Sequence, residues 1–202
     1  MISIIDYGLG NINAICSAYK LIGVDYQVID NAIDLKDATH VILPGVGSFD
    51  DAMNKINNND LNKILNFLVL EKKIYILGIC VGLQIMSNSS SEGNMKGFGW
   101  IDVETDIIDL NNKECKIPHM GWNKIKSLSG CPLLEGVDGK EFYFLHSFNI
   151  SDTGKKYTSA TSNYAVPITA AISYKNIFGT QFHPEKSHSQ GLKILKNFSD
   201  LK

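Results

Sequence analysis

No arginine occurs among the 202 residues; all 19 cationic side chains are lysines. The sequence therefore has no guanidinium fork for bidentate capture of a phosphate or carboxylate. Nor is there a surplus of either charge. The formal net charge is −2, so no basic excess exists to neutralise a nucleic-acid backbone. Long apolar runs are absent too. The longest, residues 74–86, is broken by glycines and Gln84 and is too short to span a bilayer. The opening MISIIDYG lacks a basic segment followed by an apolar one, so nothing reads as a secretory leader. The expectation is a soluble, cytoplasmic protein. The four cysteines show no C-x-x-C spacing, so neither a zinc site nor a disulfide framework is indicated. No metal and no cofactor is expected.

What is present is ordinary globular material, 44% hydrophobic, long enough to bury a core. A single domain over residues 1–202 is the expectation. Residues 2–5, 24–29, 41–43 and 74–79 read as strands, with helical patterns between them. Two of those helices are separated by the polar stretch NNND. Such alternation predicts an α/β fold, an open, mostly parallel sheet covered by helices. The run 74–79, apolar at nearly every position, reads as a central strand buried on both faces. After Gly93 the rhythm changes. Strand-like runs at 100–104, 142–148, 157–161, 168–174 and 177–182 come with little helix between them. They predict antiparallel strands appended to the parallel sheet. A helix over about 189–201 closes the chain.

Three stretches carry chemistry. In GICVG, residues 78–82, Cys80 sits where the buried strand ends and a helical pattern, VGLQIMS, begins. A lone free cysteine is usually a small buried hydrophobe. A strand–turn–helix context with flanking glycines instead suits a nucleophile elbow. There the helix N-terminus favours thiolate, and the Val81 N–H faces a developing oxyanion. In QFHPEKS, Pro184 forbids a helical His183, and in an extended segment Glu185 shares its face. A carboxylate that orients an imidazole that activates a thiol completes a triad, Cys80–His183–Glu185. In LPGVGSF, residues 43–49, flexible backbone follows the third strand at the carboxyl edge of the sheet, where α/β sheets build sites. Val46 or Gly47 is the candidate second oxyanion donor. GLGNIN, with asparagine in place of the third glycine, is too incomplete to read as a dinucleotide turn.

Together LPGVGSF, GICVGLQ and FHPEKS resemble the class I (triad) glutamine amidotransferases over essentially the whole chain. DYGLGN and PHMGWN narrow the resemblance to the branch that serves imidazole glycerol phosphate synthase in histidine biosynthesis. The resemblance implies that Cys80 attacks the side-chain amide of glutamine, that His183 protonates the departing ammonia, and that water hydrolyses the resulting thioester to glutamate. It places Gln84 at the glutamine, with the backbone of His146, Ser147 and Phe148 as a cradle for its amino-acid end. The His146 side chain itself reads as a satisfied strand histidine. The implied partner is the barrel synthase subunit HisF, which receives the ammonia, in a heterodimer. Met120, Trp122 and Lys186 match positions near that partner, although Trp122 read alone is a core residue. Two other readings stay open: a paralogous glutaminase feeding a sugar-modifying synthase of surface polysaccharides, and a non-catalytic subunit or other cysteine hydrolase on the same sheet.

Overall fold

The computed structural model describes residues 1–58, 60–110, 115–128 and 130–202; Asn59, within NNND, lies outside them. Strand β1 (Ile2–Ile5) leads through a turn into helix α1 (Ile12–Ile22), whose first turn is capped by the Asn11 side-chain Oδ1 accepting from Ala14 N. Strands β2 (Tyr26–Ile29) and β3 (His40–Leu43) follow, then helices α2 (Phe49–Asn58) and α3 (Leu61–Asn66), strand β4 (Tyr75–Ile79) and helix α4 (Val81–Gln84). The second half holds β5 (Glu104–Ile107), β6 (His119–Lys124), β7 (Lys126–Ser127), β8 (Glu141–His146), β9 (Phe148–Ser151), β10 (Thr158–Tyr164), β11 (Val166–Tyr174), β12 (Ile177–Thr180) and helix α5 (His188–Ser199).

One eight-stranded sheet organises the chain, in the order β2-β1-β3-β4-β12-β11-β10-β7. From β2 to β12 all neighbours are parallel; from β12 to β7 they are antiparallel. Central β4, with Ile76, Leu77, Gly78 and Ile79 buried, is the two-sided strand that its apolar run predicts. Two ribbons, β5–β9 and β6–β8, stand apart from the sheet.

The structure corrects four details of the sequence reading. The apolar run at 177–182 is not an appended antiparallel strand: β12 inserts between β4 and β11, parallel to β4. Periodicity reports which faces are buried, not which way a neighbour runs. The run at 100–104 is mostly a buried turn, because Trp100 N and Ile101 N both donate to Met86 O; the strand begins at Glu104. The run at 142–148 breaks at Ser147 into β8 and β9, which belong to different ribbons. Finally β6 is a full strand that no β-branched run announces.

Two crossing backbones bring the sheet's carboxyl edge together. A Cβ on Gly82 would stand 1.9 Å from the Leu43 carbonyl oxygen, and one on Gly45 would stand 2.5 Å from Gly82 N. Both obstacles are main chain, so neither can step aside. Gly82→Ala is expected to lower stability by about 3 kcal/mol or more, as overpacking against an unyielding neighbour does. Gly154→Ala, at a site with open space around it, should stay within about 0.5 kcal/mol. Urea midpoints of the two variants check this.

Candidate active site

Cys80 is the one residue between β4 and α4, and its backbone has φ 54° and ψ −110°. A side chain at positive φ is strained and persists only where its surroundings over-determine it. Here the Cys80 N–H donates to Thr180 O on β12 at 2.8 Å, and the Cys80 carbonyl accepts from Leu83 N and Gln84 N. The flanking glycines do not carry the strain. Gly78, like Gly82, is small because a Cβ there would stand 2.5 Å from the Gly82 carbonyl. Helix α4 is shorter than its pattern predicts, ending at Gln84. The Ser87 hydroxyl donates to Gln84 O at 2.7 Å, and Met86 O is taken by Trp100 N and Ile101 N, so the helical ladder stops. What faces the thiol is therefore the free N–H groups of one turn, not the dipole of a long helix.

β12 delivers the base. In register Thr180 lies beside Ile79, so the chain beyond Thr180 reaches His183 at the same sheet edge as Cys80. His183 is extended (φ −97°, ψ 99°), as its following proline requires. Glu185, though, lies in the 3₁₀ turn Pro184–Lys186, so the two meet because the chain turns, not because a strand alternates. His183 Nδ1 is 2.8 Å from Glu185 Oε1, with both side chains 2% exposed. Burial pulls the His183 pKa down, but contacts with the Cys80 sulfur and with Glu185 outweigh it and raise the pKa to about 10. The imidazole is thus protonated at neutral pH, beside a sulfur placed to share that proton. Cys80 Sγ also lies 3.7 Å from Leu145 O and 3.7 Å from Gln181 Nε2.

These groups open on one cavity of about 250 Å³. Val46, Gly47, Cys80, Val81, Gln84, His146, Ser147, Phe148, His183 and Lys186 all line it, so the structure gathers stretches that lie far apart in sequence. Glutamate 185 stands behind the imidazole, outside the lining. Among the described residues no cluster of His, Cys, Asp and Glu has the makings of a metal site, and no helix is long and apolar enough to cross a membrane.

The family model for class I glutamine amidotransferase matches residues 3–201. The chain belongs to the class I glutamine amidotransferase family. Similar curated proteins include "Imidazole glycerol phosphate synthase subunit HisH" of Bdellovibrio bacteriovorus, 43% identical over all of both chains. The protein of the same name from Leptospira borgpetersenii is 42% identical, again over all of both. A solved structure described as a glutamine amidotransferase superposes with a TM-score of 0.76 at 13% identity, covering 98% of each chain; at that identity it shows the fold alone.

Within this class I amidotransferase the remaining candidates fall into two groups. Gln84 is buried, and its amide nitrogen donates to Phe148 O at 2.9 Å and Gln181 Oε1 at 3.1 Å, which leaves its Oε1 for a ligand. The His146 imidazole has both nitrogens bonded, to His119 and to Phe148 O, the satisfied strand histidine of the sequence reading. Met120 and Trp122 do not touch the cavity. They project from β6 into solvent, 63% and 43% exposed, and Trp122 stacks on His188 with ring planes 8° apart. The tryptophan is thus not core. Lys186 joins this surface, its Nζ 5.5 Å from the Tyr143 ring centre.

Two lining or supporting residues carry no mark in the sequence. Glu92 lines the cavity, with Oε2 accepting from Phe49 N at 2.8 Å; it sits in a serine-rich loop with no motif spacing. Gln181, beside the thiol, precedes the H-P-E segment and reads as an ordinary strand residue.

Proposed function

We propose that this chain is the glutaminase subunit of imidazole glycerol phosphate synthase, a single type 1 amidotransferase domain acting in histidine biosynthesis. The observation that carries the chemistry is one contact set: a strained Cys80 on the cavity wall sharing its sulfur with a His183 that Glu185 holds. The Cys80 thiolate adds to the carboxamide carbon of glutamine. The negative oxygen meets the Val81 N–H and a second amide from the Val46–Gly47 loop. The His183 imidazolium gives its proton to the amide nitrogen as the C–N bond breaks and ammonia leaves. The neutral imidazole then takes a proton from water, whose oxygen attacks the thioester, releasing glutamate and restoring the thiolate–imidazolium pair.

Recognition of the amino-acid end follows from charge. With arginine absent from the chain, the α-carboxylate falls to backbone amides around Ser147 and Phe148. The α-ammonium falls to Glu92, whose Oε1 is not engaged by Phe49 N. Glu92→Gln keeps the shape and the Phe49 contact while removing the charge. Its KM for glutamine should rise about 10- to 100-fold, the range expected for a lost charge-assisted hydrogen bond, as glutamate-release kinetics will show.

The ammonia goes to a synthase subunit, HisF, docked over Met120, Trp122 and Lys186. Coupling to that partner fits the mobility available in the oxyanion loop. Gly45 is wedged against Gly82 and cannot turn, but Gly47 has φ 102° and nothing within 4 Å of a would-be Cβ. The peptide before Gly47 is therefore the one free to flip and to add or remove a donor, worth about 100- to 1,000-fold in rate. Glutamate release is measured for the chain alone, then with HisF and its ribonucleotide substrate or an analogue. A rise of that size is expected. Full activity without a partner would exclude coupling. A rise only with a sugar-modifying synthase would assign the chain to the paralogous, polysaccharide-directed role.

A further inference from the structure

Behind the glutamine cavity, β6 and β8 place two histidines opposite one another, His119 against His146. His119 is wholly buried. Its ring lies between Phe144 and Tyr164, with centroids at 4.7 and 4.1 Å and planes within 19° and 21°. The Tyr164 ring is itself held, its hydroxyl donating to Lys116 O at 2.7 Å. The imidazole thus has a built slot and one orientation.

The hydrogen bonds then allow one set of protons. Phe148 O only accepts, so His146 Nδ1, 2.8 Å away, must carry a hydrogen. Burial lowers the His146 pKa to about 3 and the His119 pKa to about 4, so each ring has a single N–H. His146 Nε2 is then a bare acceptor, and His119 Nδ1, at 2.9 Å, must donate to it. That leaves His119 Nε2 bare, and the Asn123 amide donates to it at 2.6 Å. Beyond His146 the same Phe148 carbonyl receives the Gln84 amide, which also meets Gln181, whose own amide reaches the Cys80 sulfur.

The geometry points to His119 and Asn123 as positioning residues of the glutaminase site: by holding His146 in its Nδ1–H tautomer they fix the Phe148 carbonyl, and through it the Gln84 amide on the glutamine wall. The assignment rests on the glutaminase reading above. Neither residue touches the cavity; both act through His146. Met120 and Trp122 alternate with them along β6, so one face of that strand meets solvent while the other feeds this relay.

His119→Phe keeps the stacked ring and removes the donor; His119→Asn offers an amide N–H near the Nδ1 position. Two readouts separate positioning from bulk structure. Nitrogen-15 NMR of the histidines at neutral pH reads the tautomers directly: in the wild type His146 is protonated at Nδ1 and bare at Nε2. In His119→Phe that Nε2 loses its donor, so its resonance moves and the Nε2–H form gains population against the Phe148 contact. Kinetics of the partner-bound enzyme should show KM for glutamine raised about 10- to 100-fold in His119→Phe, the consequence of a lost buried hydrogen bond, with kcat little changed and much of the affinity regained in His119→Asn. Should His119→Phe fail to fold, Asn123→Ala, at a partly exposed site, takes the donor from His119 Nε2, so the Nε2–H form of His119 gains population, and it must raise KM in the same direction. An Nε2–H His146 in the wild type, or wild-type KM in these variants, overturns the assignment. A wild type that releases no glutamate with its partner overturns the glutaminase reading, and the role with it, while the NMR still tests the tautomers.

Discussion

Cys80→Ala eliminates glutamine hydrolysis and leaves the protein folded. Without the sulfur no thioester forms, and water has no comparable nucleophile to replace it, so the expected loss is about 10⁴-fold or more, as for removal of a nucleophile from a triad. The substitution is small, and the backbone strain at position 80 stays, held by the Thr180 carbonyl and the Leu83 and Gln84 amides. A synthase partner supplied with ammonium should turn over with the variant bound. A second readout is electrostatic. Burial is the largest influence on His183 and pulls its pKa down; the Cys80 sulfur is one of the groups that raise it. Removing the sulfur must therefore lower the His183 pKa from about 10, which proton NMR of the imidazole measures. Cys16→Ala, Cys115→Ala and Cys131→Ala, at cysteines that are all free thiols, should leave hydrolysis near wild type; equal damage from any of them, with the fold preserved, would refute the elbow.

His183→Ala costs nearly as much. It removes the proton that ammonia must take and the base that activates water, so both halves of the reaction fail together and the two losses do not add. Glu185→Gln is milder. The amide still fills the place of a carboxylate that is 2% exposed and 2.8 Å from His183 Nδ1, but it gives up the charge that steadies the imidazolium and can hold the ring in the wrong tautomer. More residual activity than in His183→Ala is expected. Wild-type rates in Glu185→Gln, measured with the partner present, would remove Glu185 from the triad.

Much of this site is legible in the sequence because its chemistry is concentrated at strand ends. The apolar run before GICVG marks β4, the glycines mark a crossing too tight for a Cβ, and Pro184 sets the backbone of His183. Other parts resist reading for physical reasons. The direction of β12 depends on a neighbour that is distant in sequence, and it decides that His183 arrives beside Cys80. Trp122 reads as core by its type, yet it lies on an alternating strand whose inward positions are taken by His119 and Asn123. Glu92 and Gln181 belong to no spacing; only the folded cavity shows that one faces it and the other meets the sulfur. His119 is hidden for a similar reason, since its role depends on a partner across a ribbon.

The pairing of β4 with β12 makes the nucleophile's own amide a gauge of the assembled site. The Cys80 N–H is bonded to Thr180 O, at the seam where the strand ending in the thiol meets the strand leading to the base. Deuterium can replace that hydrogen only when the two central strands part, and parting separates Cys80 from His183. Opening of the sheet's middle therefore also opens the catalytic pair. A population whose central strands have parted has lost its triad along with its core, so the fraction silenced by this route is also the fraction exposed to proteolysis.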